Sequence, residues 1–557
     1  MIPPTNLMEA INAFQSGDLD RARKFAEREV ASAPSPLSQH LLGLIHCRLG
    51  NSAKGVEHLK AAADAELGNL EFQVSLARAL IDSGRAADVL AMREPPPVKS
   101  GAELALWHAR AEAAALVGAV AAAAEAWRVI ANASPKDWRA WVSLARSLLR
   151  LEKFAEAEAA YQSALSISPF QTDALHELGM LYERTSEIDR LLNLLNQALA
   201  GGVGKDQLPF LWALYQFRRG TTDEVRELLS TPGADHDPIR WNRLRAKVED
   251  RAGNADIAFA AATAMNRATP HFDAWRRRSA QYRDQLRELA ETITEDWAAQ
   301  LNSVGRAAEC RPVFLVGFPR SGTTLLDTFL MGHSEILVIE ELPLLFDAGE
   351  AIGPLREMVS CRTLHVEQAR DRYLAALAKH VGGKYPPVTI DKFPLNMVAV
   401  PLIHCLFPGA AIVFAQRHPC GAVLSGFMQA FDPNLGMASF LEIGDAADFY
   451  DAAMSVWTAS RKVLPVNVQT VVYEELVADP EATLRPVIEF LGLQWDERLL
   501  DHRTTAITRG PIGNTSYDQV TEPLSSDAIF RWQRYRKQMQ PVLPVLLPWA
   551  ERLGYGD

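Results

Sequence analysis

The chain has 557 residues, 48% hydrophobic and 22% charged, a globular balance long enough for two or more domains. Its formal net charge of −11 argues against a nucleic-acid binder, whose footprint is basic, but leaves room for a few arginines that converge on a small anion. Five scattered cysteines, Cys47, Cys310, Cys361, Cys405 and Cys420, form no CxxC pair, so no zinc site or disulfide framework is expected and a reducing compartment is the simplest expectation.

The opening stretch, MIPPTNLMEAINAFQSGDLD, has neither a basic n-region nor an apolar h-region, so no secretory signal is expected. No apolar run approaches 18 residues, so no membrane span is expected either. From here the sequence repeats. Positions 17, 50, 84, 118, 152, 186, 220 and 253 hold Gly, Gly, Gly, Gly, Glu, Ser, Gly and Gly, at steps of 33 or 34. Glycine tolerates the tight turn between two helices. Pro34, Pro135, Pro169 and Pro270 follow about half a period later, where proline breaks one unit from the next. The clearest unit, WVSLARSLLRLEKFAEAEAAYQSALSISP at 141–169, puts Trp141, Leu144, Ala145 and Leu148 on one helix. Ala157, Tyr161, Ala164 and Leu165 lie on the next. Small residues let paired helices approach, and the aromatics fill the space between units. The pattern resembles the tetratricopeptide repeat over roughly residues 5–270, with degenerate later units where Leu191 and Val225 replace the small alanine. The resemblance implies a solenoid with a concave face that takes an extended partner.

Residues 271–303 read as helix leading out of the solenoid, and Arg276, Arg277 and Arg278 as its solvated face. From about Arg311 the period changes. Short apolar runs, VFLVGF, VTI, AAIVFAQ and VQTVVY, each precede a helical pattern, which predicts a parallel sheet covered on both faces. Ligands of such sheets sit beyond the C-terminal strand ends.

The stretch GFPRSGTT at 317–324 closes the first of those strands. Gly317 and Gly322 let the backbone curl, and the amides of Ser321, Gly322, Thr323 and Thr324 point inward at a helix N-terminus, an anion site by geometry and dipole. Arg320 adds a planar fork of donors. The lysine that a nucleotide triphosphatase places after the second glycine is missing, with Thr323 in its place, which disfavours γ-phosphoryl transfer from ATP. The loop resembles the 5′-phosphosulfate loop of sulfotransferases, closest to the tyrosylprotein sulfotransferase branch. That resemblance implies 3′-phosphoadenosine 5′-phosphosulfate (PAPS) as sulfuryl donor, adenosine 3′,5′-bisphosphate as product, and no metal. A second basic site is then needed for the donor's 3′-phosphate. FAQRHPCGAVLS at 414–425 resembles the family's motif for it, with Arg417 and Ser425 at the family's spacing and His418 read as a turn residue.

Further residues follow from the same resemblance. Glu341, the second of a Glu-Glu pair after EILVI, takes the role of general base, with an N-cap or surface carboxylate as the alternative. Lys392 in IDKFPLN touches the transferring group. Tyr473 in VVYEELVADP lines the nucleotide pocket, with a core tyrosine as the alternative. NTSYDQVTEPLSSDAIFRWQRY at 514–535 resembles the family's late loop, with Ser516 facing the sulfuryl group and Arg531 adding positive charge. Two positions depart from the branch: Gln429 and Pro343 stand where it carries arginines, and the second departure puts peptide-tyrosine specificity in doubt. The branch also relies on secretory disulfides, which this chain does not suggest; a cytoplasmic, bacterial setting is expected instead.

The expected fold is thus α followed by α/β: an all-α tetratricopeptide-repeat solenoid over 1–270, a helical cap and linker over 271–310, and a P-loop-like parallel-sheet sulfotransferase domain over 311–557. The acceptor is a hydroxyl on a peptide, a glycan or a small molecule, with the repeats recruiting it or a protein partner; a homodimer stays open. The alternatives are an inactive repeat adaptor with a degenerate nucleotide-binding domain, and a P-loop kinase.

Overall fold

The computed structural model describes residues 5–185, 187–230, 237–301, 303, 311–381, 386–509, 524 and 527–556. The chain divides into two compact units, Met1–Tyr215 and Gln216–Asp557.

The first unit is a succession of helical hairpins, such as Trp138–Arg150 with Phe154–Ile167 and Thr172–Arg184 with Ile188–Ala200. The repeating turn has a single physical cause. Gly17, Gly50, Gly84, Gly118 and Glu152 all adopt left-handed φ values, between 58 and 83°. This lets the following N–H reach back five residues and close the helix end: Asp18 to Ala13 (3.0 Å), Arg85 to Leu80 (2.8 Å), Lys153 to Leu148 (3.0 Å). Glu187 makes the same bond to Tyr182 (2.8 Å), although Ser186 lies outside the described residues. Within the hairpins, Ala145, Ala157, Tyr161 and Ala164 are fully buried. A Cβ at Gly179 would come within 2.6 Å of a Leu211 methyl, so the helices approach closely there and a larger residue would make Leu211 shift.

The turn recurs in the second unit at Gly220 and Gly253, so the repeat register runs on to residue 267. Packing draws a different line. Ala246, Ala258, Ala261 and Ala262 of the hairpin Pro238–Arg251/Ala255–Arg267 join the same core as Leu286, Leu289 and Trp297 and the helices of the α/β region. Asn266 donates to the carbonyls of Phe427 (2.9 Å) and Phe440 (3.1 Å). On helix Phe272–Thr292, Arg276 and the buried Arg283 both pair with Asp445, at 2.7 and 2.9 Å. Arg276 is therefore a packing residue as well as part of a helix face.

The α/β region holds five parallel strands: β1 Val313–Gly317, β2 Ile336–Glu340, β3 Val388–Lys392, β4 Ala411–Gln416 and β5 Asn467–Val472, in the order β2-β3-β1-β4-β5. Alternation along each strand fills two cores. Phe314, Val316, Ile412 and Phe414 face one layer of helices; Val313, Leu315, Val413 and Ala415 face the other. After β1 the chain moves to one side of the sheet, and after β4 to the other, so the order reverses between these two neighbours. That crevice is where open α/β sheets bind ligands.

Candidate active site

The loop that leaves β1 is held in an unusual shape. Arg320 has φ 71° and Gly322 φ 90°, and the Ser321 N–H bonds the carbonyl of Phe318 at 3.0 Å. Gly322 has a second reason to lack a side chain: a Cβ there would sit 2.4 Å from the ring of Tyr473. Helix Thr323–Leu330 starts directly after it, with Ser321, Thr323 and Thr324 buried. A Cβ at Gly317 would meet the Ala415 carbonyl at 2.5 Å, which fixes how closely β1 and β4 run together.

Arg417 leaves the end of β4 next door and donates to the Arg320 carbonyl at 3.0 Å, while Arg320 Nε donates to Ser425 Oγ at 3.2 Å. The two arginine loops expected from sequence therefore form one site. Tyr473, at the end of β5, lies flat under Arg417 with the guanidinium carbon 4.3 Å from its ring centre. It thus orients Arg417 and walls Gly322 at once. Burial, then the neighbouring Arg417 and Arg531, bring the Arg320 guanidinium down to about 10. Arg417 is lowered too, by burial against the counter-pull of Tyr473 and Glu474.

Arg531 adds to this potential, but its side chain is held elsewhere: Nε pairs with Asp250 at 2.9 Å and a terminal nitrogen reaches Met428 Sδ at 3.1 Å. Ser516 lies outside the described residues. His418 is an N-cap, its Nδ1 accepting from Cys420 N at 3.2 Å and its ring stacked 4.7 Å from Trp532. Burial and Arg417 push it down to about 4, so it stays neutral. Glu474 accepts from the His418 N–H (3.0 Å) and from the Tyr555 hydroxyl (2.9 Å), tying the β4 and β5 ends to the C-terminal helix.

On the other side of β1 stands a second set of charges. Lys392, at the end of β3 and paired in register with Leu315 and Glu340, is fully buried. Its Nζ lies 2.7 Å from Glu341, 3.2 Å from Asp327 and 3.4 Å from Glu340. Burial alone would lower Lys392; Asp327 and Glu341 outweigh it and the group is raised, firmly cationic. Glu341 has φ 48°, and its N–H is anchored on the Lys392 carbonyl at 2.8 Å. Its side chain is 42% exposed, so it faces outward while its partner lies beneath. Arg320 and Glu341 are two of four non-glycine left-handed residues among those described. Such strain concentrates where function fixes a backbone.

Sequence reasoning missed the floor of this site. Asp327 and Arg509 form a buried pair at 3.2 Å, and Arg509 also bonds Thr328 Oγ1 at 3.1 Å and pairs with Glu340. An aspartate inside the apolar helix TTLLDTFL was the available signal; Arg509 had none. Asn396, four residues past Lys392, is likewise buried, and neither its amide oxygen nor its nitrogen has a hydrogen-bond partner among the described residues.

Residues 312–497 match a family model described as the sulfotransferase family, and residues 139–171 match a tetratricopeptide-repeat model. The chain is 27% identical over 289 residues to an uncharacterized protein of Aquifex aeolicus, covering 49% of this chain and 37% of that protein. It is 26% identical over 267 residues to protein-tyrosine sulfotransferase A of Caenorhabditis elegans, covering 44% of this chain and 67% of that protein. With human protein-tyrosine sulfotransferase 1 the figures are 25% over 270 residues, 44% and 69%. Among solved structures, the sulfotransferase domain of the Synechococcus olefin synthase aligns with TM-score 0.32 and 22% identity, over 46% of this chain and all of that one. A tetratricopeptide-repeat protein of Parabacteroides merdae aligns with TM-score 0.28 and 14% identity, over 48% and 93%. A stretch that matches the tetratricopeptide-repeat model thus precedes one that matches the sulfotransferase-family model.

Proposed function

We propose that the chain transfers a sulfuryl group from PAPS to a hydroxyl acceptor and releases adenosine 3′,5′-bisphosphate. The observation that carries this reading is the joining of Arg320, Ser425 and Arg417 across adjacent strand ends. They form a buried cationic site, on the far side of β1 from the Lys392–Glu341 pair. Neighbouring strands lie about 4.8 Å apart, so β3 and β4 stand roughly 10 Å apart, the scale of one nucleotide.

In this reading Arg417 and Ser425 hold the 3′-phosphate, with Tyr473 keeping the guanidinium flat. The loop amides, Thr323 and Thr324 receive the phosphosulfate. The acceptor hydroxyl approaches from the exposed side of Glu341, which takes its proton, a step worth about 10²–10⁴-fold. The hydroxyl oxygen bonds to sulfur as the bond to the leaving phosphate oxygen breaks. Lys392 exchanges part of its pairing with Glu341 for the sulfuryl oxygens, which frees the base and stabilises the developing charge together. The repeats recruit or position the acceptor, whether peptide, glycan or small molecule, or a protein partner.

The test is one ligand panel on three proteins. Adenosine 3′,5′-bisphosphate should raise the melting temperature of the wild type and of Glu341→Gln, but not of Arg417→Ala. ATP should leave all three unchanged. Turnover of PAPS with an active acceptor fraction should fall about 10²–10⁴-fold in Glu341→Gln. Equal stabilisation by ATP, or full turnover in Glu341→Gln, would defeat the respective assignment.

A further inference from the structure

Helix Pro238–Arg251, PIRWNRLRAKVEDR, lies outside residues 312–497, yet it reaches the charges at the strand ends. Residues three, four and seven apart share one face of a helix. Arg243, Ala246 and Asp250 stand in that relation, and two of the three have fixed surroundings. Ala246 is buried in the core that also holds Phe314, Val316 and Phe318. Asp250 takes Arg531 at 2.9 Å and Arg534 at 3.1 Å, and the charge of Arg531 bears on both Arg320 and Arg417. The helix therefore turns this face toward the cationic site.

Arg243 is the third member of the face. Burial and Arg417 do most to lower Arg320, and Arg531 and Arg243 add to their effect, so Arg243 stands within electrostatic reach of Arg320. Nothing in the fold answers its charge. Its Nε is buried with no hydrogen-bond partner among the described residues. Its neighbours are matched: Arg240 pairs with Asp237 at 3.5 Å, and Arg251 donates to the Phe217 carbonyl at 3.1 Å. Glu249 accepts two bonds from Arg226, at 2.9 Å each, and Asp250 is spent on Arg531 and Arg534. No carboxylate of the helix is left for Arg243. A donor held out of water without an acceptor is costly, and the planar fork of an arginine suits a phosphate.

The groups around it place Arg243 on one side of the site. Arg531 reaches Met428 Sδ at 3.1 Å, three residues past Ser425, and Arg320 Nε bonds Ser425 itself at 3.2 Å. Arg243 thus joins on the side of Ser425, away from Lys392.

We infer that Arg243 is a ligand for the 3′-phosphate of the bound nucleotide, supplied by the hairpin that continues the repeat register. The inference rests on the donor reading above, and adds to it a dependence of donor affinity on how that hairpin is docked.

The test titrates adenosine 3′,5′-bisphosphate by calorimetry into the full chain as wild type, Arg417→Ala, Arg243→Gln and Arg243→Lys. Arg243→Gln should bind it about 10- to 100-fold more weakly than the wild type, the worth of a hydrogen bond to a charged group. Arg243→Lys, which keeps the charge and gives up the fork, should fall between, and carries the comparison if Arg243→Gln does not fold. Adenosine 5′-monophosphate, which lacks the 3′-phosphate, should not distinguish Arg243→Gln from the wild type. Without nucleotide the Arg243 variants should melt no lower than the wild type, because the Nε has no partner to lose; a merely structural arginine would lower that temperature. Equal affinity for the bisphosphate in wild type and Arg243 variants, with Arg417→Ala impaired, overturns the inference and leaves the donor reading standing. Equal weakening of both nucleotides also overturns it. A wild type that takes up no bisphosphate overturns both readings.

Discussion

Asp391 offers a quantitative check on the strand that carries Lys392. Its side chain is completely buried beside Tyr373, whose hydroxyl donates to Oδ2 at 2.8 Å, while Oδ1 has no hydrogen-bond partner among the described residues. Burial pushes the carboxyl from its ordinary 3.8 up to about 7, against the pull of the tyrosine hydroxyl. Below pH 3.8 folded and unfolded chains both hold this proton. Between 3.8 and about 7 the unfolded chain gives it up while the folded one keeps it, so stability falls as pH rises. Above that window the loss is constant. At 1.36 kcal/mol per pH unit, the gap between 3.8 and about 7 amounts to ~4 kcal/mol. Asp391→Asn keeps an acceptor for Tyr373 and removes the ionisation. Its advantage over the wild type should be near zero at pH 4 and grow towards ~4 kcal/mol at pH 8. Denaturant unfolding of both proteins across that range measures it, provided the transition of the second unit is followed by itself. Parallel curves, or a variant less stable at pH 8, would refute the account of Asp391 as a neutral buried acid.

Lys392→Met should destabilise the second unit by about 3–5 kcal/mol, because the fully buried Asp327 loses one of its two cations; adding Asp327→Asn should recover part of the loss in the same unfolding assay. In the first unit, Glu152 occupies a turn position where its counterparts at 17, 50, 84 and 118 are glycine. Glu152→Gly should raise stability by about 1 kcal/mol, the cost of a left-handed backbone for a residue with a Cβ, read as a higher melting temperature.

How far the sequence led depended on whether an interaction is local. The repeat was legible because each turn is specified by a single residue and its conformation, and the sheet because strands covered on both faces read as unbroken apolar runs. The loop at 317–324 announced itself through two glycines whose reasons are both local and tertiary: φ at Gly322, and the Ala415 carbonyl and Tyr473 ring that leave no room for side chains. Where the last hairpin belongs was illegible. Its sequence continues the repeat register, and what assigns it to the second core is the partners it meets: the Phe427 and Phe440 carbonyls at Asn266, and Glu442 at Arg267.

The charge network shows the same limit in sharper form. The resemblance implies that Lys392 meets the sulfuryl oxygens; in the structure it neutralises part of a floor in which Asp327 and Glu340 are buried or nearly so. Arg509 supplies the second cation, from a position 182 residues away from Asp327. Two cations face three carboxylates here, so the network has a surplus negative charge whenever all five are ionised. That surplus falls on Glu341, the member that is 42% exposed and therefore the least costly to leave partly unpaired. A carboxylate that must accept a proton is best placed where its neighbours are already matched. Arg509 thus acts on Glu341 without touching it: by sharing Asp327 and Glu340 with Lys392, it offsets negative charge that Lys392 would otherwise face alone.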